Sequence, residues 1–362
     1  MNHRYFSELE YNEFGRHINA KLLRERIPLS GAIELTNRCN LKCVHCYCNQ
    51  ASGDEGIKKQ ELSTSQIIKI LADAEKRSCL WLLFTGGEPL LREDFFDIYI
   101  HAKKRGFLVT VFTNGTLITS DAADIFAEWP PSTIEVTLYG ATKETYEKIT
   151  GIPGSFKLCM DGIRTLRERG VPVDLKTMVS TLNMGEIRDI KKLAKTISPR
   201  FRLDPLIQSR IDGQKEPCRY RVSPEEAVSL DLEDHDRLEG WKKYLKKAGE
   251  LEMPDSLFSC GAGKDSFFID PYGYMCVCSM CTSLSYKIGE YSFDDIWDER
   301  FPETLGKKQS SDFKCRGCDA AAYCDHCAGW GMTENRDPGS VVEYLCEIAR
   351  LRKAAFKEKI KS

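Results

Sequence analysis

No stretch of this sequence is able to cross a membrane as a helix. Its longest apolar runs, such as residues 79–84, fall far short of the roughly 20 residues a bilayer span requires. The polar opening Met1-Asn2-His3-Arg4-Tyr5 leads into no apolar segment of the kind that marks an export signal. Charge of one sign is also lacking. The 52 Lys and Arg residues nearly balance 54 Asp and Glu, for a formal net charge of −2. That balance gives no general attraction to nucleic acid or an anionic membrane, so neither is expected as a partner. A cytoplasmic location is expected.

What the chain has in excess is cysteine, with sixteen in 362 residues. In a secreted protein they would suggest a disulfide framework. Here no export signal accompanies them, and they gather in Cys-x2-Cys-type clusters towards the two ends. Metal or iron–sulfur ligation in a reducing cytosol is the expected use, with oxygen sensitivity and an anaerobic setting as its consequence. The length suits one large α/β domain with a smaller appendage.

The most informative stretch is Cys39-Asn40-Leu41-Lys42-Cys43-Val44-His45-Cys46-Tyr47, which follows the apolar run 31–36. A [4Fe–4S] cluster normally takes four cysteines, so a compact loop with three leaves one iron open to another ligand. Two alternatives stand beside this. Structural zinc usually pairs two Cys-x2-Cys hooks. Cys48, as a fourth ligand, would close the cluster and make an electron-transfer centre.

The loop resembles the Cys-x3-Cys-x2-Cys signature of the radical S-adenosylmethionine (radical SAM) superfamily. The resemblance implies that Cys39, Cys43 and Cys46 hold a catalytic [4Fe–4S] cluster whose open iron binds S-adenosylmethionine. It further implies reductive cleavage of that cofactor to a 5′-deoxyadenosyl radical, with the protein orienting and shielding the chemistry.

Between residues 31 and 207, strand-like and helix-like segments alternate. Strands are expected at 32–35, 80–85, 108–112, 133–138, 173–178 and 201–207. Helices are expected at 65–76, 93–105, 120–128, 156–169 and 184–196. Such alternation indicates parallel βαβ units. Six units match the partial, TIM-like (β/α)6 barrel of radical SAM enzymes, with the active site at the C-terminal strand ends.

The second strand runs into Gly86-Gly87-Glu88-Pro89. Glycines there permit close approach of the backbone to a ligand, and a carboxylate can receive an amine. The resemblance makes this the motif that binds the methionyl amino group. Asn114 after the third strand, Thr137 at the end of the fourth and Lys176 on the fifth are further candidate cofactor-binding residues. For each, a turn or an internally satisfied polar group is the plainer alternative. Arg202, Asp204 and Arg210 are placed near the barrel mouth.

Residues 256–346 carry nine cysteines. Cys260 precedes a hairpin turn with Gly273, then come Cys276, Cys278 and Cys281. A second group comprises Cys315, Cys318, Cys324 and Cys327, and Cys346 stands alone. The pattern resembles the SPASM extension of radical SAM peptide maturases, which carries two auxiliary [4Fe–4S] clusters. The resemblance implies one cluster on Cys260, Cys278 and Cys327, with Cys276 or Cys281 as a possible fourth ligand. It implies a second on Cys315, Cys318, Cys324 and Cys346. One residue fewer than expected separates Cys324 from Cys327, and zinc ribbons are the structural alternative. Cys79, Cys159 and Cys218 fit neither group and read as buried thiols.

The expected organisation is an N-terminal helical segment (1–30), the barrel (31–207), a bridge (208–255), a SPASM domain (256–350) and a helical tail (351–362). The expected activity is modification of a side chain in a ribosomally made precursor peptide, by cross-link, thioether or oxidation, with auxiliary clusters accepting electrons. Expected partners are the peptide, a separate leader-peptide-binding protein and a low-potential reductant such as flavodoxin or ferredoxin. An anaerobic sulfatase maturase, a tetrapyrrole side-chain enzyme and a non-radical electron-transfer protein are the alternatives.

Overall fold

The computed structural model describes residues 25–48, 50–248, 256–310 and 313–361. Most of the expected N-terminal helical segment lies outside them. Six parallel strands form the barrel wall: β1 (Ser30–Glu34), β2 (Trp81–Thr85), β3 (Leu108–Thr113), β4 (Thr133–Thr137), β5 (Val173–Met178) and β6 (Phe201–Asp204). Side chains alternate across this wall as period-2 geometry requires. Ile33, Leu82, Phe84, Val109, Val111, Ile134, Val136 and Leu175 are buried in the core cluster. Their neighbours Ala32, Leu83, Phe112, Thr137 and Lys176 face a central cavity instead.

The principal barrel helices are α1 (Thr64–Lys76), α2 (Phe95–Lys104), α3 (Ser120–Glu128), α4 (Lys143–Thr150), α5 (Ser155–Glu168) and α6 (Ile187–Ile197). In α1, Ser63 and Gln66 form a reciprocal capping box, and Ile67, Ile70, Leu71 and Ala74 bury one face at helical spacing. Each fully buried aliphatic of this kind contributes about 1.5–3 kcal/mol. Helix α4 was not expected. It is polar, with only Tyr146, Ile149 and Thr150 buried, so its sequence carries little hydrophobic periodicity. Gly151, in the left-handed conformation, ends it.

The cysteine-rich region is not set apart from the barrel. Its strands β7 (Ser266–Ile269), β8 (Tyr274–Cys276) and β9 (Ser285–Lys287) continue the same sheet, in the order β9-β8-β7-β1-β2-β3-β4-β5-β6. β7 runs parallel to β1, β8 returns antiparallel to β7, and β9 is antiparallel to β8. A Cβ at Gly31 would lie 2.2–2.8 Å from atoms of the Phe267 ring, so glycine is what lets β7 dock on β1. The bridge is also more than a connector. It forms α7 (Pro224–Glu233) and α8 (His235–Ala248), and α7 packs on the last helix, α10 (Glu343–Lys361). Helix α9 (Ala328–Asn335) precedes it.

Candidate functional site

One cavity of about 1100 Å³ occupies the barrel. Cys39, Cys43 and Cys46 line it together, on the loop that leaves the C-terminal end of β1. The loop is held by its own backbone. Lys42 and Val44 donate N–H groups to the carbonyls of Thr150 and Ile149 at 2.8 and 3.0 Å, which are free because α4 ends there. Asn40 donates to Thr116 Oγ1 at 2.8 Å, and Asn114 Nδ2 donates to Asn40 Oδ1 at 2.9 Å and towards Cys39 Sγ at 3.8 Å. Asn114 thus supports the cysteine loop as well as lining the cavity.

Burial pushes the Cys39 thiol up to about 12. Burial also pushes the Cys43 thiol well above its ordinary value, with the neighbouring Cys46 and Cys39 charges adding to it. Three thiolates cannot share this site without a cation to offset them. That donor chemistry fits an iron–sulfur cluster. Cys48 is buried beside Cys46 and hydrogen-bonded to it, and also borders the cavity.

Gly86 and Gly87 line the cavity directly beneath this loop. A Cβ on Gly86 would stand 2.2 Å from Thr36 O, and one on Gly87 2.4 Å from Arg38 O. Gly87 N and Glu88 N donate to those same carbonyls at 2.7 and 2.9 Å. Glu88 and Pro89, expected as cofactor-binding, are not among the residues that line the cavity. The Glu88 carboxylate is turned into the protein, fully buried, and accepts from Asn114 N at 2.7 Å, Thr113 Oγ1 at 2.8 Å and Leu90 N at 3.2 Å. It joins the ends of β2 and β3.

Thr137 and Lys176 face each other in register across β4 and β5, and both line the cavity. Lys176 Nζ lies 2.9 Å from Glu135 Oε1 and 3.0 Å from the centre of the Phe112 ring. Burial lowers it to about 8 against the pull of Glu135. Arg202 shares Glu135 at 2.7 Å. Asp204 lines the cavity, whereas Arg210 pairs with Asp212 outside it. His45 and Tyr139 are lining residues that the sequence did not single out. Their rings meet edge-on with centres 4.9 Å apart.

The far wall comes from two regions read in the sequence as separate. Arg237, Gly240, Trp241 and Tyr244 line it from one face of α8, at i, i+3, i+4 and i+7 spacing. Ser279, Met280, Cys324, Asp325 and Trp330 line it from the cysteine-rich region.

The remaining cysteines fall into two groups. Cys327 feels the charges of Cys278 and Cys260, and Cys281 feels those of Cys278, Cys276 and Cys327. The Cys281 thiol donates to Cys278 and draws it down to about 7. Cys276 lies with them: its thiol donates to Cys278 O at 3.1 Å and feels the charge of Cys278 ahead of those of Asp270 and Glu34. The other group is Cys315, Cys318, Cys324 and Cys346: Cys315 feels the charges of Cys346 and Cys318, Cys324 those of Cys346 and Cys315, and Cys346 that of Cys318. Among the described residues, no three Cys, His, Asp or Glu side chains are gathered to hold a single metal ion. Cys79 and Cys159 are buried and Cys218 is half-buried.

Comparison with known proteins agrees with this geometry. Residues 33–194 match the radical SAM superfamily. The chain is 28% identical over 324 residues to an AdoMet-dependent heme synthase of Methanosarcina barkeri, covering 81% of this chain and 91% of that one. It is 26% identical over 324 residues to the mycofactocin maturase MftC of Mycobacterium ulcerans, covering 84% and 83%. Among solved structures, Streptococcus suis SuiB bound to precursor peptide SuiA superposes with a TM-score of 0.65 at 16% identity, covering 95% of this chain and 83% of that one. The match takes in the three-cysteine loop and the barrel from β1 into α6, so this part of the chain is similar to the radical SAM superfamily.

Proposed function

We propose that this enzyme modifies a side chain of a ribosomally made peptide, with Cys39, Cys43 and Cys46 holding the catalytic cluster. When bound there, S-adenosylmethionine supplies a 5′-deoxyadenosyl radical able to take hydrogen from unactivated carbon. The chain's residues provide the setting. Gly86 and Gly87 let the cofactor approach bare backbone, while Thr137, Lys176 and Asn114 offer polar contacts around it. Leu41, Leu83 and Phe112 supply apolar lining that keeps water away. Cys260, Cys278, Cys281 and Cys327 fit one auxiliary cluster, and Cys315, Cys318, Cys324 and Cys346 fit a second.

The observation that carries this reading is the shared cavity. It runs from the three-cysteine loop to Met280, Cys324 and the face of α8. Its volume exceeds the roughly 300–1,000 Å³ of ordinary small-molecule sites, leaving room for a cofactor and an inserted side chain. Support also comes from a relative named as a maturase and a similar fold seen with a precursor peptide. The reading carries with it a low-potential reductant, a separate leader-binding protein and a cytoplasmic location. Among the described residues, no helix is long and apolar enough to cross a membrane.

The test is anaerobic incubation with S-adenosylmethionine, dithionite and each small peptide found to be encoded near the gene. Formation of 5′-deoxyadenosine together with a mass change in the peptide is expected. Absence of 5′-deoxyadenosine would return the chain to the electron-transfer reading. A second reading, action on a tetrapyrrole side chain, is favoured by the heme synthase relative, 91% of whose length is matched. Porphyrin-like absorbance in the purified protein, and turnover with a tetrapyrrole alone, would select it.

A further inference from the structure

The chain reaches Cys39 through Thr36, Asn37 and Arg38, all buried. On the cavity side, Gly87 and Glu88 fasten this segment by backbone hydrogen bonds. On the opposite side it meets Glu61, in the turn before α1, which does not border the cavity. Arg38 Nε and Nη2 donate to the two Glu61 oxygens at 2.8 and 3.0 Å. The Thr36 hydroxyl donates to Glu61 Oε1, and Arg38 Nη1 reaches Ser52 O at 3.2 Å. Arg92 Nη1 lies 3.7 Å from Glu61 Oε2, donates to Leu35 O at 3.2 Å, and belongs to a side chain paired with Asp94. The Arg38, Glu61 and Arg92 side chains are only 6%, 3% and 7% exposed.

Two guanidinium groups and two carboxylates make a neutral set, so the cluster carries no net charge into the core. Stability alone is a weak reason for such a group, because apolar side chains of similar volume commonly serve as well. What apolar side chains lack is direction. A guanidinium forked onto a carboxylate has its plane and distance fixed. Here the fork is anchored to the residue immediately before Cys39, and the same carboxylate holds Thr36 two residues earlier.

We infer that Glu61 is a positioning residue for the cofactor site, fixing through Arg38 and Thr36 the backbone from which Cys39 presents its thiol. This rests on the reading of Cys39, Cys43 and Cys46 as the catalytic ligands. Glu61 itself touches neither the cavity nor a cysteine. It acts on where one cysteine stands relative to the other two, whose loop is held separately through Thr150 and Ile149.

The test compares wild type, Glu61→Gln and the double variant Arg38→Met/Glu61→Met after anaerobic reconstitution. One readout is the change that added S-adenosylmethionine makes in the electron paramagnetic resonance spectrum of the reduced protein. Only a cluster with an open iron gives that change, so auxiliary clusters do not interfere. The other readout is thermal melting of the metal-free chains. The double variant is expected to melt within about 5 °C of wild type, as apolar replacement of a buried ion pair allows. Both variants are expected to lose about 10- to 100-fold in apparent affinity for the cofactor, as mutations in ligand-orienting residues do. A double variant with the full wild-type response overturns the inference. So does one whose metal-free chain melts far below wild type, since the group would then serve the fold. A wild-type protein without any response refutes the ligand reading instead, which is a separate failure.

Discussion

Replacing Glu88 with glutamine should remove a defined part of the pH dependence of stability. Burial raises this carboxyl from 4.5 to about 7, against the three hydrogen bonds it accepts. The folded chain therefore holds the Glu88 proton more tightly than the unfolded chain does. Below pH 4.5 both states are protonated and the contribution to stability is fully present. It is lost as pH rises from 4.5 through about 7, and above that nothing further changes. The difference between the two values corresponds to about 3 kcal/mol. Glutamine has no proton to lose, so this slope should vanish from Glu88→Gln. The substitution has its own cost. A glutamine offers one carbonyl oxygen, so either Asn114 N–H or Leu90 N–H would face an amide NH2, at about 1–3 kcal/mol for a buried donor left unpaired. The variant should be clearly less stable than wild type at pH 5 and equal or better at pH 8.5. Urea unfolding of the metal-free proteins across that range measures it. Glu34, also raised to about 7, is present in both proteins and cancels in the difference. Parallel stability curves for the two proteins would refute the reasoning.

Three other outcomes are expected. Cys39→Ala, Cys43→Ala and Cys46→Ala should each reduce 5′-deoxyadenosine formation to background, while Cys48→Ala keeps it; loss in Cys48→Ala as well would favour a four-ligand centre. Cys281→Ser should lower bound iron by up to about four atoms per chain, one cubane, whereas Cys276→Ser leaves it unchanged, as read by iron analysis after reconstitution. Gly31→Ala should cost about 1–3 kcal/mol in urea unfolding, because the added carbon overlaps the Phe267 ring. Adding Phe267→Leu should recover part of that cost, and simple additivity of the two changes would show that the contact is not the cause.

The sequence by itself determined the three-cysteine loop and the barrel. Cysteine spacing is local, so three thiols within eight residues must fall in one loop whatever the rest of the chain does. The six barrel strands were legible for a similar reason: short apolar runs separated by amphipathic helical stretches report parallel βαβ units. Four features were decided only by tertiary structure, because each depends on residues far apart in the chain. Glu88 looked like a ligand-facing carboxylate, yet the amides of Asn114 and Leu90 turn it inward. Helix α4, too polar to announce itself, ends where its carbonyls receive the cysteine loop. The cysteine-rich hairpin read as a domain of its own, but Gly31 admits Phe267 and the sheet runs on through it. The bridge at 208–255 read as a connector, and the face of α8 instead closes the cavity. Spacing along the chain fixes which groups travel together, while hydrogen bonds and steric fit between distant segments fix where those groups point.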